Sequence, residues 1–199
     1  MKSRTWEVLP IVLLLFLAGC VTKEVSKITK EAAITFVQDD LATRYPDAEI
    51  REIIDITESN GSWQIKARVT YNFSSKCPVR MHVYYDYPRK GFIVAPPEYI
   101  TKDCEVCKSA MCVIGVPEEA IIASHTLPGS EMVKSYITIH PDAKPTAKFY
   151  DEYIKDGEEG EKYENVWIVK WFSEGTNYAV YSMIRDNGTV IDTWQKVEE

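Results

Sequence analysis

From Trp63 to Phe73 the chain alternates without a break. Trp63, Ile65, Ala67, Val69, Tyr71 and Phe73 stand between Gln64, Lys66, Arg68, Thr70 and Asn72. Side chains of an extended strand point to opposite faces in turn, so this run demands a strand with one face on a core and the other in water. Asn60-Gly61 just before it is a tight-hairpin signal, which places a second strand in the Ile-rich stretch that ends at Thr57. Val79, Met81, Val83, Tyr85 and Tyr87 repeat the alternation, and Pro88 to Gly91 turns the chain into Phe92-Ile93-Val94.

A helix precedes this sheet. Ala33, Val37, Leu41 and Tyr45 recur near helical spacing, and the pattern stops at Tyr45-Pro46, where proline pushes its predecessor out of helical geometry. The same order of features returns later. Glu119-Ala120-Ile121-Ile122 opens a second helix, with Pro117 suited to its first turn, and Leu127-Pro128-Gly129 closes it. Strands are expected from Asn165 to Phe172, from Tyr178 to Ile184, and from Thr189 to Trp194 after Asn187-Gly188. Between the second helix and Glu164 the reading is a strand from Val133 to Ile139, a Pro141/Pro145 break and a strand near Phe149. The fold class is therefore α+β, with two tandem modules, each a helix packed on a curled antiparallel sheet. The boundaries are a first module over 31–101, a Cys-rich linker over 102–115 and a second module over 116–199.

The leading segment constrains location. Lys2 and Arg4 precede an apolar run from Val8 to Ala18, too short to cross a bilayer, followed by small residues. That pattern is a secretory signal over residues 1–19. The formal net charge is −7 without a basic cluster, which argues against a nucleic-acid partner. The acidic stretch Asp156-Gly157-Glu158-Glu159-Gly160-Glu161 reads as a solvated loop, because the ligand spacing of a calcium loop is missing.

Four cysteines follow Cys20: Cys77, Cys104, Cys107 and Cys112. An even number in an exported chain favours disulfides. If the turn is Pro88 to Gly91, positions facing each other across it sum to about 179, which puts Cys77 nearest Cys104. Cys107 and Cys112 then close a short loop. A redox pair at Cys104-x-x-Cys107 and a metal site on the four thiols compete with this reading.

The sequence holds three histidines, and His82, His125 and His140 each read as surface residues. Nucleophile elbows, metalloprotease helices and phosphate loops are not found, so no catalytic residue, metal or cofactor is assigned and a non-enzymatic role is expected. Aromatic residues cluster at Tyr84, Tyr85 and Tyr87 and at Trp167 and Trp171, and both faces of Tyr84-Tyr85 and of Trp167-Ile168 are apolar. Packing between the modules is the first account, and a partner-binding aromatic patch is the second. Asn60, Asn72 and Asn187 open glycosylation sequons that matter only in a host that uses them.

Two resemblances add to this. Leu17-Ala18-Gly19-Cys20 resembles the lipobox of prokaryotic lipoproteins, which implies cleavage before Cys20, lipid on Cys20, and a spacer over 20–30 that holds the modules off a membrane facing away from the cytoplasm. Glu118-Glu119-Ala120-Ile121-Ile122, Pro128-Gly129, Val166-Trp167-Ile168-Val169 and Gly188-Thr189-Val190-Ile191 resemble a PepSY domain, and Pro46, Trp63 and Gly91-Phe92-Ile93-Val94 echo it more loosely. Cystatin-like folds share the same element order. The PepSY resemblance implies contact with an envelope protein, including restraint of a peptidase. A solute- or ion-binding lipoprotein serving a transporter and a structural cell-surface protein are the alternatives.

Overall fold

The computed structural model describes residues 28–89, 92–108, 111–155 and 160–198. Cys20 and the signal segment lie outside the described residues, as does most of the acidic stretch at 156–159. Among the described residues the fold is α+β, with three helices and two four-stranded antiparallel sheets. None of the described helices is long and apolar enough to cross a membrane.

In the first half, helix α1 (Lys30–Arg44) packs on strands β1 (Ile50–Ser59), β2 (Ser62–Tyr71), β3 (Val79–Tyr87) and β4 (Glu98–Thr101), paired in that order. Thr29 caps α1 by accepting the Ala32 N–H at 3.2 Å. Ala33, Val37 and Leu41, four residues apart, bury against Ile65, Ala67, Val69, Met81, Val83 and Tyr85. These are the odd-numbered positions of β2 and β3, as the alternation requires. Asn60 and Gly61 both take positive φ (51° and 76°), the geometry of a primed two-residue turn. Phe92 to Val94 does not form the expected strand: Ile93 makes a single bridge to Tyr85, and the fourth strand comes later, beyond Pro96-Pro97.

In the second half, helices α2 (Pro117–Thr126) and α3 (Glu131–Ile139) cover one face of β5 (Lys144–Ile154), β6 (Lys162–Phe172), β7 (Tyr178–Arg185) and β8 (Val190–Val197). The strand expected from Val133 to Ile139 is this helix α3. Its alternating β-branched residues suggested a strand, but Val133 and Tyr136 lie on one helical face and bury together. Tyr136 then anchors the sheet end, its hydroxyl accepting the Ser173 N–H at 3.0 Å and donating to the Tyr178 carbonyl at 3.2 Å. Trp167, Val169, Trp171, Val180 and Ile184 complete the core beneath the helices. On the opposite sheet face, Val166, Ile168 and Met183 bury under Tyr150, Tyr153, Tyr163, Tyr181 and Trp194.

The expected cysteine pairing is present. Cys77 bonds Cys104 and Cys107 bonds Cys112, with Cα–Cα separations of 4.8 and 4.6 Å. The first pair follows from the β3–β4 register, in which Arg80 faces Thr101 and His82 faces Glu98.

Candidate functional site

The even-numbered side chains of β2 and β3 leave the first sheet on the side away from α1. Cross-strand register sets them in rows with β1: Thr57, Gln64 and Asp86; then Asp55, Lys66 and Tyr84; then Glu52, Arg68 and His82; then Ile50, Thr70 and Arg80. This face reads as solvent-exposed by its polarity, yet half of it is covered.

The covered half meets the N-terminal turn of α2. Glu118 there is 0% exposed. Its Oε1 accepts from Arg68 Nε at 3.1 Å and from the Thr70 hydroxyl at 2.7 Å, and its Oε2 accepts from Arg80 Nη1 at 3.2 Å. Burial works to raise the Glu118 carboxyl, but the Thr70 hydroxyl, its own backbone N–H and the Arg68 guanidinium outweigh it and hold the group below the usual carboxylate range. Glu119, next along, accepts the N–H groups of Gly115 and Val116 at 2.8 and 3.2 Å, closing the helix start. Arg80 also donates from Nε to His82 Nε2 at 3.2 Å. His82 Nδ1 has no hydrogen-bond partner, and Glu98 lies 3.7 Å away, beyond hydrogen-bond reach. Burial, then Lys66 and Arg80, push the His82 imidazole below its ordinary value.

The open half is a cleft of about 460 Å³ floored by the first two rows and rimmed by Val94. Val94 is held there by its N–H to the Tyr84 carbonyl at 3.2 Å. The Tyr84 hydroxyl donates to Glu98 at 2.5 Å. Asp86 is 6% exposed; Arg89 reaches its Oδ2 at 3.0 Å, while Oδ1 has no partner.

A second cluster lies where the halves meet. Sγ of Cys77 and Cys104 and a ring nitrogen of His125 fall within 4.8 Å of one another. With the sulfurs bonded to each other they offer no thiolate, and His125 spends its Nε2 on the Lys76 carbonyl at 2.7 Å.

The aromatic residues singled out from sequence divide. Tyr85, Trp167 and Trp171 are core side chains. Tyr85 donates its hydroxyl to Asp40 at 3.0 Å, Trp167 Nε1 donates to the Ile114 carbonyl at 2.8 Å, and Trp171 Nε1 donates to Ser124 at 2.9 Å. Tyr87 stacks on Phe36 at 4.2 Å, on the α1 side. Of these five, Tyr84 and Tyr85 line the cleft, Tyr84 from the sheet face away from α1. Contacts between the halves include Glu118, His125 on the Lys76 carbonyl, and Phe73, which leans on the second core. The expectation of surface histidines fails for His82 and His125, both buried. Arg68, Arg80, Glu118 and Asp86 were not anticipated. Two arginines and a histidine on the outward positions of two neighbouring strands were the available signal, but it becomes visible only once Glu118 is brought over them.

No family model, curated protein or solved structure matches the chain.

Proposed function

We propose that this chain is an exported, lipid-anchored binding module of the cell envelope, held to a membrane through Cys20 and working by recognition of another envelope protein. The observation that carries the reading is strand β5. It spans Lys144–Ile154 at the edge of the second sheet, with Phe149 and Ile154 39% and 40% exposed. A long edge strand presents backbone donors and acceptors on which an extended segment of another chain can add a strand. Pro145, Lys144 and Lys148 guard its beginning against indiscriminate pairing, so the receptive part is Phe149 to Ile154. The disulfides suit an oxidising compartment. The PepSY-like reading of each half makes an extracellular peptidase the first partner to test, and a cystatin-like reading leads to the same experiment.

The full lipidated chain, carrying a photo-crosslinking residue at Asp151 on β5 or at Arg51 on β1, is irradiated in native membranes. One envelope protein captured from Asp151 and not from Arg51 is the expected result. Equal capture from both positions, or from neither, overturns the reading. Cys20→Ser tests the anchor separately: it is expected to abolish incorporation of an alkyne fatty acid and move the chain to the soluble fraction.

A further inference from the structure

The open end of the outer sheet face holds charges that its own neighbours leave unused. Asp86 Oδ1 is buried without a hydrogen-bond partner, although Oδ2 has Arg89. A buried carboxylate oxygen left unpaired is unfavourable, and a bound donor relieves it. One row away, Lys66 holds its Nζ over the Tyr84 ring, 5.6 Å from the centroid, and no carboxylate comes within ion-pair distance of it among the described residues. Asp55 faces Lys66 in register but does not pair with it either.

The positions are set by the sheet. Gln64 lies opposite Asp86 and Lys66 opposite Tyr84, so Lys66 and Asp86 are diagonal neighbours. Such positions lie about 7–8 Å apart, a gap that a small molecule can bridge between the lysine ammonium and the aspartate carboxylate. A lone cation on this floor meets the Lys66 ammonium, and a lone anion meets two carboxylates. A molecule carrying both charges a few bonds apart satisfies each. The volume of about 460 Å³ lies in the range of small-molecule sites.

The geometry points to a binding site for a free α-amino acid in this cleft. Its ammonium donates to Asp86 Oδ1, and its carboxylate pairs with the Lys66 ammonium. The Gln64 amide and Thr57 hydroxyl complete the polar floor, and Val94 borders the side chain. The site belongs to the first half alone and does not depend on strand addition at β5.

Calorimetric titration of the full chain in detergent micelles tests this. The probes are L-alanine, L-glutamine and L-leucine as zwitterions, methylammonium and acetate as the separate charges, and glucose as a neutral polyol. At least one amino acid is expected to saturate, with methylammonium, acetate and glucose tenfold weaker or more. Asp86→Asn and Lys66→Met are each expected to weaken that binding tenfold or more, whereas Lys134→Met, at an exposed position of helix α3, leaves it unchanged. If Asp86→Asn does not fold, Lys66→Met, on a half-exposed side chain, carries the test. The proposal is overturned if none of the three amino acids saturates, if a single-charge probe or glucose binds more tightly, or if amino-acid binding is indifferent to Lys66→Met.

Discussion

His125 ends helix α2 with its ring edge-on to Trp171 at 5.7 Å, and its neutral form donates Nε2–H to the Lys76 carbonyl. Burial disfavours the imidazolium, and the Lys76 bond only partly offsets it, so the folded group titrates below its ordinary value. Below about pH 6.5 the unfolded chain therefore binds more protons than the folded one, and stability falls as pH drops through that value. His82 contributes with the same sign. Glu119, raised by burial, acts in the opposite sense in the acid range. His125→Gln removes one histidine and nothing else that titrates. The loss of urea stability between pH 7 and 5.5 is expected to shrink in the variant. A second residue-scale prediction concerns Gly188, which takes φ +82° in the β7–β8 turn. A Cβ there would lie 2.6 Å from Cys112 Sγ and 3.0 Å from Cys107 Sγ. Gly188→Ala is expected to lower stability by about 1–3 kcal/mol from backbone strain alone, read from the urea midpoint.

At the scale of elements, the legible parts are those that local periodicity specifies. The alternation through β2 and β3 put Ile65, Val69, Val83 and Tyr85 on the helix side, and they are there. Asn60-Gly61 turned the chain as expected. The hairpin register then matched Cys77 to Cys104, a long-range result obtained from local spacing. Helix α3 was misread because Val133, Ile137 and Ile139 favour a strand by composition, while burial of Val133 with Tyr136 decides for a helix. The polar half of the site escaped for a related reason. Arg68, Arg80 and His82 look solvated from within their own strands, and only the fold brings Glu118 onto them. The two cysteine pairs offer a prediction at this scale. In the chain-entropy account, cross-linking cost grows with the loop closed, and the sequence separations are 27 and 5. Replacing Cys77 and Cys104 by serine is expected to cost about 3.5 kcal/mol, and replacing Cys107 and Cys112 about 2 kcal/mol. Equilibrium unfolding of the two double variants under identical conditions checks both the order and the gap.

For the whole molecule, the question is whether the two halves unfold together. Each has its own core and could open alone. What ties them is polar and specific: Glu118 from the second half between Arg68 and Arg80 of the first, and His125 on the Lys76 carbonyl, with Phe73 as the apolar contribution. Glu118→Gln keeps the shape of the side chain and removes its charge. Among the described residues Arg68 then keeps exposed Glu52 as its carboxylate partner, beside the Thr70 hydroxyl at 3.1 Å, and Arg80 keeps the His82 ring. Breaking one partner of a buried ion cluster costs about 3–5 kcal/mol, mostly from the charges left behind. If the halves form one cooperative unit, that cost appears in both. Amide hydrogen exchange reads it directly: Val83 in β3 and Val169 in β6 are expected to lose protection by the same amount in Glu118→Gln, because both exchange through one global opening. A loss confined to Val83 means that the first half opens independently. The buried cluster would then orient the cleft and the β5 edge relative to each other without binding the two halves into a single folding unit.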